Sequence, residues 1–398
     1  MSLSSLRLRA RRGTVFQVEG PDAFVGRASI SAAAARSLST DHLRVLAAFG
    51  AARRLDEVAA TLVDLDPEEV EDLAEALLMD GLLEVADLPG GLDDGFGRLE
   101  AHLPLVADQV RVDAYARALH RQAPGLRVAE LGCGTGLLSV LAARAGAASV
   151  WACEETDTID LARAVLAANG LSERVVLVQG DSRDLAPPTP VDLLVHEVFG
   201  VDPFDEGLLS SLADARARWL APGGRLLPQG LSVFGAAVGG LAWRRTPPLA
   251  EVLAALRERW ELDLGPVLAA ARGQLRRRPE AVTDPPDRAC LLGEPSALLT
   301  LDLHAPGDLS APRAARLDLP RGGTVDALLV WQRIDLDGHD TLSTGPWDPP
   351  THWGWLVYDL VEPLTVPPGG AVELQVAVAT VDGREELVLS QVLAVPVP

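Results

Sequence analysis

Between about residues 96 and 228 the chain alternates short, mainly apolar runs with stretches whose apolar positions recur at helical spacing. A short run that is mainly apolar predicts a strand covered on both faces, whereas helical spacing predicts an amphipathic helix. The predicted strands are Leu126–Leu131, Ser149–Glu154, Arg174–Gln179 and Val191–Val195. The predicted helices are one or two within 96–122, one after the first strand, Thr158–Asn169 and about Asp205–Leu220. This alternation predicts a doubly wound α/β sheet.

After Pro228 the pattern changes to short runs of strand character separated by turns rich in proline and glycine. These runs are Leu231–Val238, Ala297–Leu303, Val325–Trp331, Trp355–Leu360, Ala371–Thr380 and Glu386–Leu393. Strands at this spacing predict an antiparallel, barrel-like β domain. A helical pattern over residues 248–278 interrupts it, and we interpret this pattern as an inserted helical arm over about 243–282.

The first 90 residues or so have the pattern of a separate, small α+β domain. Leu6–Arg9 and Thr14–Val18 alternate as short strands around a turn. Three short predicted helices follow, near Thr40–Gly50, Leu55–Leu62 and Asp66–Gly81. Asp87–Gly95 is typical of a linker. The sequence therefore predicts domains at 1–90, 91–228 and 229–398.

A glycine-rich turn follows the first strand of the predicted α/β sheet. Gly132, Gly134 and Gly136 allow a sharp turn and let a ligand approach the backbone at the start of the next helix. Glu154 ends the following strand, where a carboxylate can bind both hydroxyls of a ribose. The segment is therefore interpreted as a nucleoside-binding half-fold.

The spacing of these glycines, G-x-G-x-G with Glu130 just ahead, differs from the G-x-G-x-x-G of dinucleotide sites. It resembles the loop of class I S-adenosylmethionine (SAM)-dependent methyltransferases. On this stretch alone, a dinucleotide enzyme and a purely structural turn remain the alternatives.

Charge and cysteine content narrow the possible partners. The formal net charge of −21 argues against nucleic acid, whose phosphates would be repelled, and is compatible with a cationic peptide. Cys133, Cys153 and Cys290 are scattered, so neither a disulfide framework nor a zinc or other metal site is expected. Arg144 interrupts the longest apolar stretch, and the N-terminus has no apolar secretory core. No membrane association is predicted, and the cytoplasm is the expected location.

Three further stretches make the resemblance specific. The first is "HEVFGVDPFDEGLL", which places Glu197 and Glu206 nine residues apart after a buried strand; the second is "THW", Thr351 to Trp353, in the β domain; the third is "LVADQVRVDAY", with Asp108 and Arg111 before the glycine strand. Together they resemble the protein arginine N-methyltransferase family, in the same order over about residues 96–398.

The resemblance implies a function: transfer of a methyl group from SAM to arginine nitrogens of a protein or ribosomally made peptide. It also implies roles for individual residues. Those implied to be catalytic are Glu197, Glu206, Asp108 and His352. Those implied to bind the cofactor are Arg111, Glu130, Gly132, Gly134, Glu154, Asp181 and Ser182. Trp353 is implied to wall the substrate guanidinium by stacking, although a core position is the alternative.

The two glutamates are chemically suited to a guanidinium substrate. A guanidinium is planar, charged, and presents donors in a fork that matches carboxylates. Two carboxylates can localise its charge on two nitrogens and turn the third towards the methyl donor. By resemblance, Asp108 and His352 form a pair that helps to remove the proton, since an imidazole titrates where this is possible.

The sequence also departs from the family pattern. Leu92 and Phe96 stand where the family has tyrosines, and His196 replaces the usual Ser or Thr before the first glutamate. Leu105 and Leu208 stand where methionines accompany asymmetric dimethylation. These changes leave the product open. Two alternatives also remain: a methyltransferase for another peptide or small-molecule acceptor, and a weakly active SAM-binding regulatory protein.

Two regions are expected to contact partners. The helical arm resembles the one through which family members form head-to-tail dimers, so a homodimer is expected. The N-terminal domain resembles small winged-helix modules, closest to the leader-peptide-binding domain of pyrroloquinoline-quinone biosynthesis. Packing or dimerisation, and DNA binding, are the alternatives, and the acidic residues between Asp56 and Glu75 argue against DNA.

Overall fold

The computed structural model describes residues 7–10, 14–19, 22–27, 36–49, 53–79, 82–85, 99–240, 249–278, 282, 284, 286–381 and 384–396. The chain divides into two compact units, Met1–Asp94 and Gly95–Pro398. Leu92, Phe96 and the two ends of the predicted arm, 243–248 and 279–281, lie outside the described residues. Within the described residues, no helix is both long and apolar enough to cross a membrane.

Where the structure describes it, the first unit combines three helices with short strands. Its helices are α1 (Thr40–Ala48), α2 (Leu55–Ala59) and α3 (Pro67–Met79), as predicted. Its strands are β1 (Arg7–Ala10), β2 (Thr14–Glu19), β3 (Asp22–Arg27), β4 (Arg36–Leu38), β5 (Arg53–Arg54) and β6 (Leu83–Val85). β1 pairs with β5 and β6, whereas β2 pairs with β3, a strand not predicted from the sequence. Val45, Val58 and Leu77 belong to one buried core shared by the three helices.

The second unit begins with two helices and a five-stranded parallel sheet, which confirms the predicted α/β fold. The helices are α4 (Leu99–Ala107), α5 (Gln109–Gln122), α6 (Leu137–Arg144), α7 (Thr158–Ala168) and α8 (Leu208–Trp219). The strands are β7 (Arg127–Leu131), β8 (Ser149–Glu154), β9 (Val175–Gln179), β10 (Val191–His196) and β11 (Leu220–Leu227). Their order is β11-β10-β7-β8-β9. The strand order therefore reverses between β7 and β10, the kind of crevice where α/β sheets bind ligands.

Two elements of this α/β part differ from the prediction: the start of α8 and the strand β11. Helix α8 starts at Leu208 rather than near Asp205, because Gly207 before it adopts a left-handed conformation with φ 74°. The segment after α8 forms β11, although Pro222, Gly223 and Gly224 hide its strand character in the sequence. β11 pairs with β10 in an irregular register between Val191 and Leu193, which accommodates these residues.

After β11, the strands in the described residues of the second unit are antiparallel, as predicted. Its strands are β12 (Gly230–Val238), β13 (Leu275–Arg277), β14 (Ser296–Asp302), β15 (Arg313–Leu319), β16 (Gly323–Asp335), β17 (Thr341–Ser343), β18 (Leu356–Val366), β19 (Gly370–Val381) and β20 (Arg384–Val395). One sheet has the order β13-β18-β16-β12-β14, with β17 paired to β16, and a second has the order β15-β19-β20. The strands β13, β15 and β17 were not predicted.

The predicted helical arm contains α9 (Leu249–Trp260) and α10 (Gly265–Ala271). Neither helix has a buried residue, and Trp260 is 60% exposed. The end of the helical pattern, over residues 275–277, is the strand β13 instead, which pairs with β18. The arm therefore presents apolar side chains to solvent within this chain.

Candidate active site

The glycine turn joins β7 to α6 at the carboxyl edge of the parallel sheet. Gly132 and Gly134 have φ angles of 69° and 49°, in the left-handed region that favours glycine. A Cβ atom at Gly134 would lie 3.0 Å from Cε1 of His102 on α4. The side chain of His102 therefore lies close to the backbone of the turn. A residue larger than glycine at position 134 would displace the His102 ring.

Glu154, at the end of β8, lies against this turn. One of its carboxylate oxygens accepts a hydrogen bond from the backbone N–H of Gly134 at 2.8 Å. The other accepts from the backbone N–H of Thr156 at 3.0 Å and from its hydroxyl at 2.7 Å. The carboxylate predicted to bind a ribose is therefore held beside the turn predicted to let a ligand approach the backbone.

Glu130 lies one residue before the end of β7 and is almost completely buried. Its carboxyl group accepts a hydrogen bond from the hydroxyl of Ser139 on α6. Burial raises its pKa to about 8, in spite of that hydrogen bond. In this arrangement, the carboxyl group is protonated near neutral pH.

Asp181 and Ser182 follow β9 at the same edge, and Gly180 before them donates its N–H to the carbonyl of Glu154 at 2.9 Å. The carboxylate of Asp181 accepts from the guanidinium of Arg183, which lowers its pKa. The carbonyl of Ser182 accepts from Arg218 at 2.6 Å. Both residues thus lie at the edge of the sheet that carries the glycine turn and Glu154, called the nucleoside edge below. The Asp181 side chain is hydrogen-bonded to Arg183.

Asp108 lies between α4 and α5 and contacts His352, which belongs to the antiparallel part of the second unit, called the β region below. It is the N-cap of α5, where one carboxylate oxygen accepts from the N–H of Arg111 at 2.9 Å. The other oxygen is 2.9 Å from the backbone N and 2.9 Å from the ring Nδ1 of His352. Burial raises the pKa of Asp108, but the hydrogen bonds from His352 and Arg111 outweigh it and lower the pKa overall. The structure therefore joins the two residues of the predicted pair.

Arg111 and Glu197 form a buried ion pair. Nη2 of Arg111 lies 2.6 Å from Oε2 of Glu197, and both side chains are 6% exposed. Nη1 of Arg111 donates to the carbonyl of Leu105 at 3.1 Å. Its Nε is buried and has no hydrogen-bond partner. The resemblance implies that Arg111 binds the cofactor and Glu197 the substrate, whereas the structure places the two side chains in direct contact.

The electrostatics of Glu197 connect these groups. Burial raises its pKa, and the nearby charges of Arg111 and His352 oppose that shift without cancelling it. The negative charge of Asp108 adds to the increase. Glu197, Arg111, Asp108 and His352 therefore form one electrostatically coupled cluster beside the glycine turn, where a Cβ at Gly132 would contact the Val198 side chain at 3.7 Å.

Glu206 is half-buried at the far end of the loop that begins at Glu197. The β region holds this loop through its backbone: the indole N–H of Trp353 donates to the carbonyl of Phe199 at 2.5 Å, and the amide of Gln332 donates to the carbonyl of Gly200 at 2.8 Å. The ring centroids of Trp353 and His352 are 4.0 Å apart. Trp353 is 3% exposed, so the structure places it in the core under the loop.

Some polar groups around the site were not identified from the sequence. Tyr115 donates its hydroxyl hydrogen to the carbonyl of His196 at 3.0 Å, one residue before Glu197. Its position four residues after Arg111 places both on one face of α5, a spacing that could have suggested it. Gln332 lies in a strand of apolar residues and gave no signal beyond being a polar residue there.

The sequence of the chain matches known protein families in two segments. Residues 128–224 match a family described as "Methyltransferase domain". Residues 267–387 match one described as "Arginine methyltransferase oligomerization subdomain".

Individual relatives extend these matches. The "Arginine N(omega)-methyltransferase" of Streptomyces achromogenes subsp. streptozoticus is 32% identical over 282 residues, 69% of this chain and 74% of the relative. The "Probable protein arginine N-methyltransferase 6.1" of Oryza sativa subsp. indica is 39% identical over 142 residues, 35% of this chain. The chain spans only 38% of the length of that rice relative.

A solved structure shares the fold. The Trypanosoma brucei PRMT1 enzyme-prozyme heterotetrameric complex with AdoHcy superimposes with a TM-score of 0.60 at 20% sequence identity. The superposition covers 76% of this chain and 100% of that chain. The chain belongs to the protein arginine methyltransferase family, which confirms the resemblance inferred from its motifs and the predicted combination of a Rossmann-like domain with a β-barrel domain.

Proposed function

We propose that this chain transfers a methyl group from SAM to a guanidinium nitrogen of arginine in a protein or peptide. The observation that carries the proposal is the environment of Glu197: a buried carboxylate beside the glycine turn that already binds a guanidinium, that of Arg111, at 2.6 Å. An arginine side chain of a substrate presents the same donors to the same carboxylate. Membership of the arginine methyltransferase family supports this acceptor.

The residues at the nucleoside edge fit SAM, which supplies a methyl group on a sulfonium when bound. Glu154 would accept from the ribose hydroxyls, and Gly132 and Gly134 would let the methionine portion approach the backbone. The Nε–H of Arg111 is buried without a partner, so this donor is left for the carboxylate of the cofactor. Asp181, with Ser182 beside it, would hold the adenine.

Glu197 and Glu206 would hold the substrate guanidinium from two sides. Their charges favour a distribution in which the positive charge stays on the nitrogens that they contact, so the third nitrogen can direct its lone pair at the methyl group. Positioning contributes as well as charge, because the transfer requires an in-line approach. Trp353, by fixing the carbonyl of Phe199, would keep the loop between the two glutamates in place.

Asp108 and His352 would manage the proton released during the transfer. The lowered pKa of Asp108 keeps its carboxylate ionised at neutral pH, so Nδ1 of His352 carries the hydrogen that is donated to it. Nε2 is then the nitrogen able to accept a proton. Substitution of Asp108 would disturb both the tautomer and the orientation of the ring.

Partner binding is proposed for two other regions. The exposed apolar residues of α9 and α10 and the match to an oligomerisation subdomain support a homodimer formed through the arm. For the N-terminal unit, recognition of a leader peptide stays a prediction, with packing or dimerisation, and DNA binding, as its alternatives. A cytoplasmic location also stays a prediction.

The proposed reaction is tested by substituting each glutamate separately. Purified Glu197→Gln and Glu206→Gln variants are incubated with an arginine-rich peptide and SAM labelled in its methyl group. We expect a loss of methyl transfer on the order of 10²-fold or more, because each variant lacks a charge aimed at the guanidinium. Binding of S-adenosylhomocysteine, measured by calorimetry, should persist in Glu206→Gln.

The matched control is Glu173→Gln, an exposed glutamate in the loop before β9, which should transfer methyl groups as the unmodified chain does. Transfer at an undiminished rate by both site variants would contradict the proposed roles. An unmodified chain that binds S-adenosylhomocysteine but labels no arginine in any peptide would contradict the proposed reaction.

A further inference from the structure

Helix α8 begins directly after the Glu206-Gly207 pair and has no cap from its own N-cap side chain. Gly207 is the N-cap and has φ 74°. The first N–H groups of a helix have no partner within the helix and need one elsewhere. Here Leu209 and Ser210 donate their N–H groups to Glu385, at 2.8 and 2.9 Å. Each N–H meets a different carboxylate oxygen, so one side chain caps the helix at two points.

Glu385 lies on β20, and its position in the sequence is 176 residues after Leu209. A carboxylate at the N-terminus of a helix is favoured by the helix dipole, and hydrogen bonds to an ionised acceptor are stronger than neutral ones. This contact therefore fixes the first turn of α8 against the β region. It compensates for Gly207, whose backbone is the least restrained of any residue type.

The same end of β20 also contacts the chain segment that precedes Glu206. Two residues after Glu385, the backbone N–H of Leu387 donates to Oδ2 of Asp202 at 3.0 Å. Asp202 is fully buried and also accepts from Nη1 of Arg277 on β13, at 2.8 Å. The segment that carries Glu206 is thus attached to β20 both before and after the glutamate.

We propose that Glu385 is a positioning residue for Glu206 in methyl transfer. It acts through the first turn of α8, and its carboxylate sets the direction from which Glu206 reaches the guanidinium. The inference rests on the proposed function, and it adds a residue of the β region to the residues that determine how the substrate is held. Nothing in the glutamate motif itself points to this residue.

The experiment compares Glu385→Ala, Glu385→Gln and the control Glu373→Gln in the full chain. Glu373 lies on the neighbouring strand β19 and pairs with exposed Arg316, so its substitution makes the same charge change away from α8. We expect kcat/KM for the peptide to fall on the order of 10²-fold in Glu385→Ala, because small displacements of a substrate-holding group have effects of this size. Glu385→Gln keeps one acceptor and should fall less. Glu373→Gln should match the unmodified chain.

Two further measurements separate positioning from a general loss of stability. The affinity for S-adenosylhomocysteine should stay within about twofold in all three variants, since Glu154 and the glycine turn lie on β8 and after β7. Hydrogen exchange in Glu385→Ala should accelerate at the amides of residues 206–211, at the start of α8, more than at the strands of the parallel sheet.

Unchanged kinetic constants in Glu385→Ala, measured well below its unfolding temperature, would overturn the inference even if that temperature falls. So would an equal loss in Glu373→Gln. An unmodified chain without methyl transfer would contradict the proposed function itself, and with it the role of Glu385 in that reaction; an active chain with an unaffected Glu385→Ala variant contradicts this inference alone.

Discussion

Replacement of Glu197 by Gln should destabilise the protein because it strands a buried charge. In the structure, Arg111 and Glu197 are each 6% exposed and joined at 2.6 Å. Removing one partner of a buried pair typically costs about 3–5 kcal/mol, since the other charge remains buried. Arg111 would retain the Leu105 carbonyl and the weaker dipole of the new amide. For a unit of roughly 300 residues, unfolding entropies of about 2 cal/mol/K per residue convert this cost into a fall in Tm of about 5–8 °C.

The pair itself is not expected to be strongly stabilising. In spite of its burial, the pKa of Arg111 is raised by the charge of Glu197, whereas burial raises the pKa of Glu197 in spite of the guanidinium beside it. Desolvation therefore offsets much of the attraction within the pair. The double variant Arg111→Gln/Glu197→Gln, which removes both charges, should therefore recover most of the stability lost in Glu197→Gln. Methyl transfer should stay abolished in the double variant, and this separates the catalytic loss from the loss of stability.

The two single variants should differ in their dependence on pH. In Arg111→Gln the stranded group is a carboxylate, which can bind a proton. A carboxylate with a raised folded pKa binds more protons in the folded state than in the unfolded state, so stability increases as the pH falls towards its unfolded pKa. Measured relative to the unmodified chain at each pH, Arg111→Gln should therefore recover stability as the pH falls. Glu197→Gln should not recover stability relative to the unmodified chain, because the guanidinium of Arg111 keeps its proton throughout.

Thermal and denaturant unfolding of the four chains at pH 5, 6, 7 and 8 provide the assay. Arg163→Gln serves as a control, since its pair with Asp160 is 48% and 79% exposed and should contribute less than about 1 kcal/mol. Additive losses in the double variant, or equal pH profiles for the two single variants, would refute the argument that the stranded charge is the origin of the cost.

Two further predictions follow from the same structure. Glu130→Gln should remove a dependence of stability on pH. As the pH rises from the ordinary carboxyl pKa of 4.5 to the folded pKa of about 8, the stability of the unmodified chain should fall relative to the variant by at most about 1.4 kcal/mol per pH unit. Parallel pH profiles of the two chains in denaturant unfolding would contradict this. Trp260→Glu places a charge on the exposed apolar side of the arm and should convert a dimer to a monomer in sedimentation velocity. The control Val176→Glu changes a 57% exposed site on β9 and should leave the mass unchanged. A dimer in both variants would contradict a role for the arm.

The sequence predicts the parts of this structure whose patterns are local. The apolar run ending at Leu131 and the glycines after it define β7 and the turn, because a strand buried on both faces and a left-handed turn leave few choices of residue. β15 was missed because its alternating apolar positions, Ala315, Leu317 and Leu319, stand among arginine and aspartate residues and after a loop. β11 was missed because glycine and proline, which usually end a strand, lie inside it.

The candidate site shows the same division. The family motifs identify Asp108, Glu197 and His352, and the structure brings these residues into one cluster. The contact between Arg111 and Glu197 could not be inferred, since it joins residues 86 positions apart and each had a separate expected role. Glu385 gave no signal at all, because its function depends on the meeting of β20 with α8, and pairings across such distances are set by tertiary packing rather than by local pattern.

The central claim is that the acceptor is the guanidinium of arginine, held by Glu197 and Glu206. The most direct test is to locate the transferred methyl group by fragmentation mass spectrometry of a peptide that contains arginine, lysine and histidine, after incubation with labelled SAM. We predict that the label lies on terminal guanidinium nitrogens of arginine and is lost in Glu206→Gln, while Glu173→Gln retains it. Label on lysine, histidine or a backbone nitrogen, or label on arginine that persists in Glu206→Gln at the rate of the unmodified chain, would contradict the account.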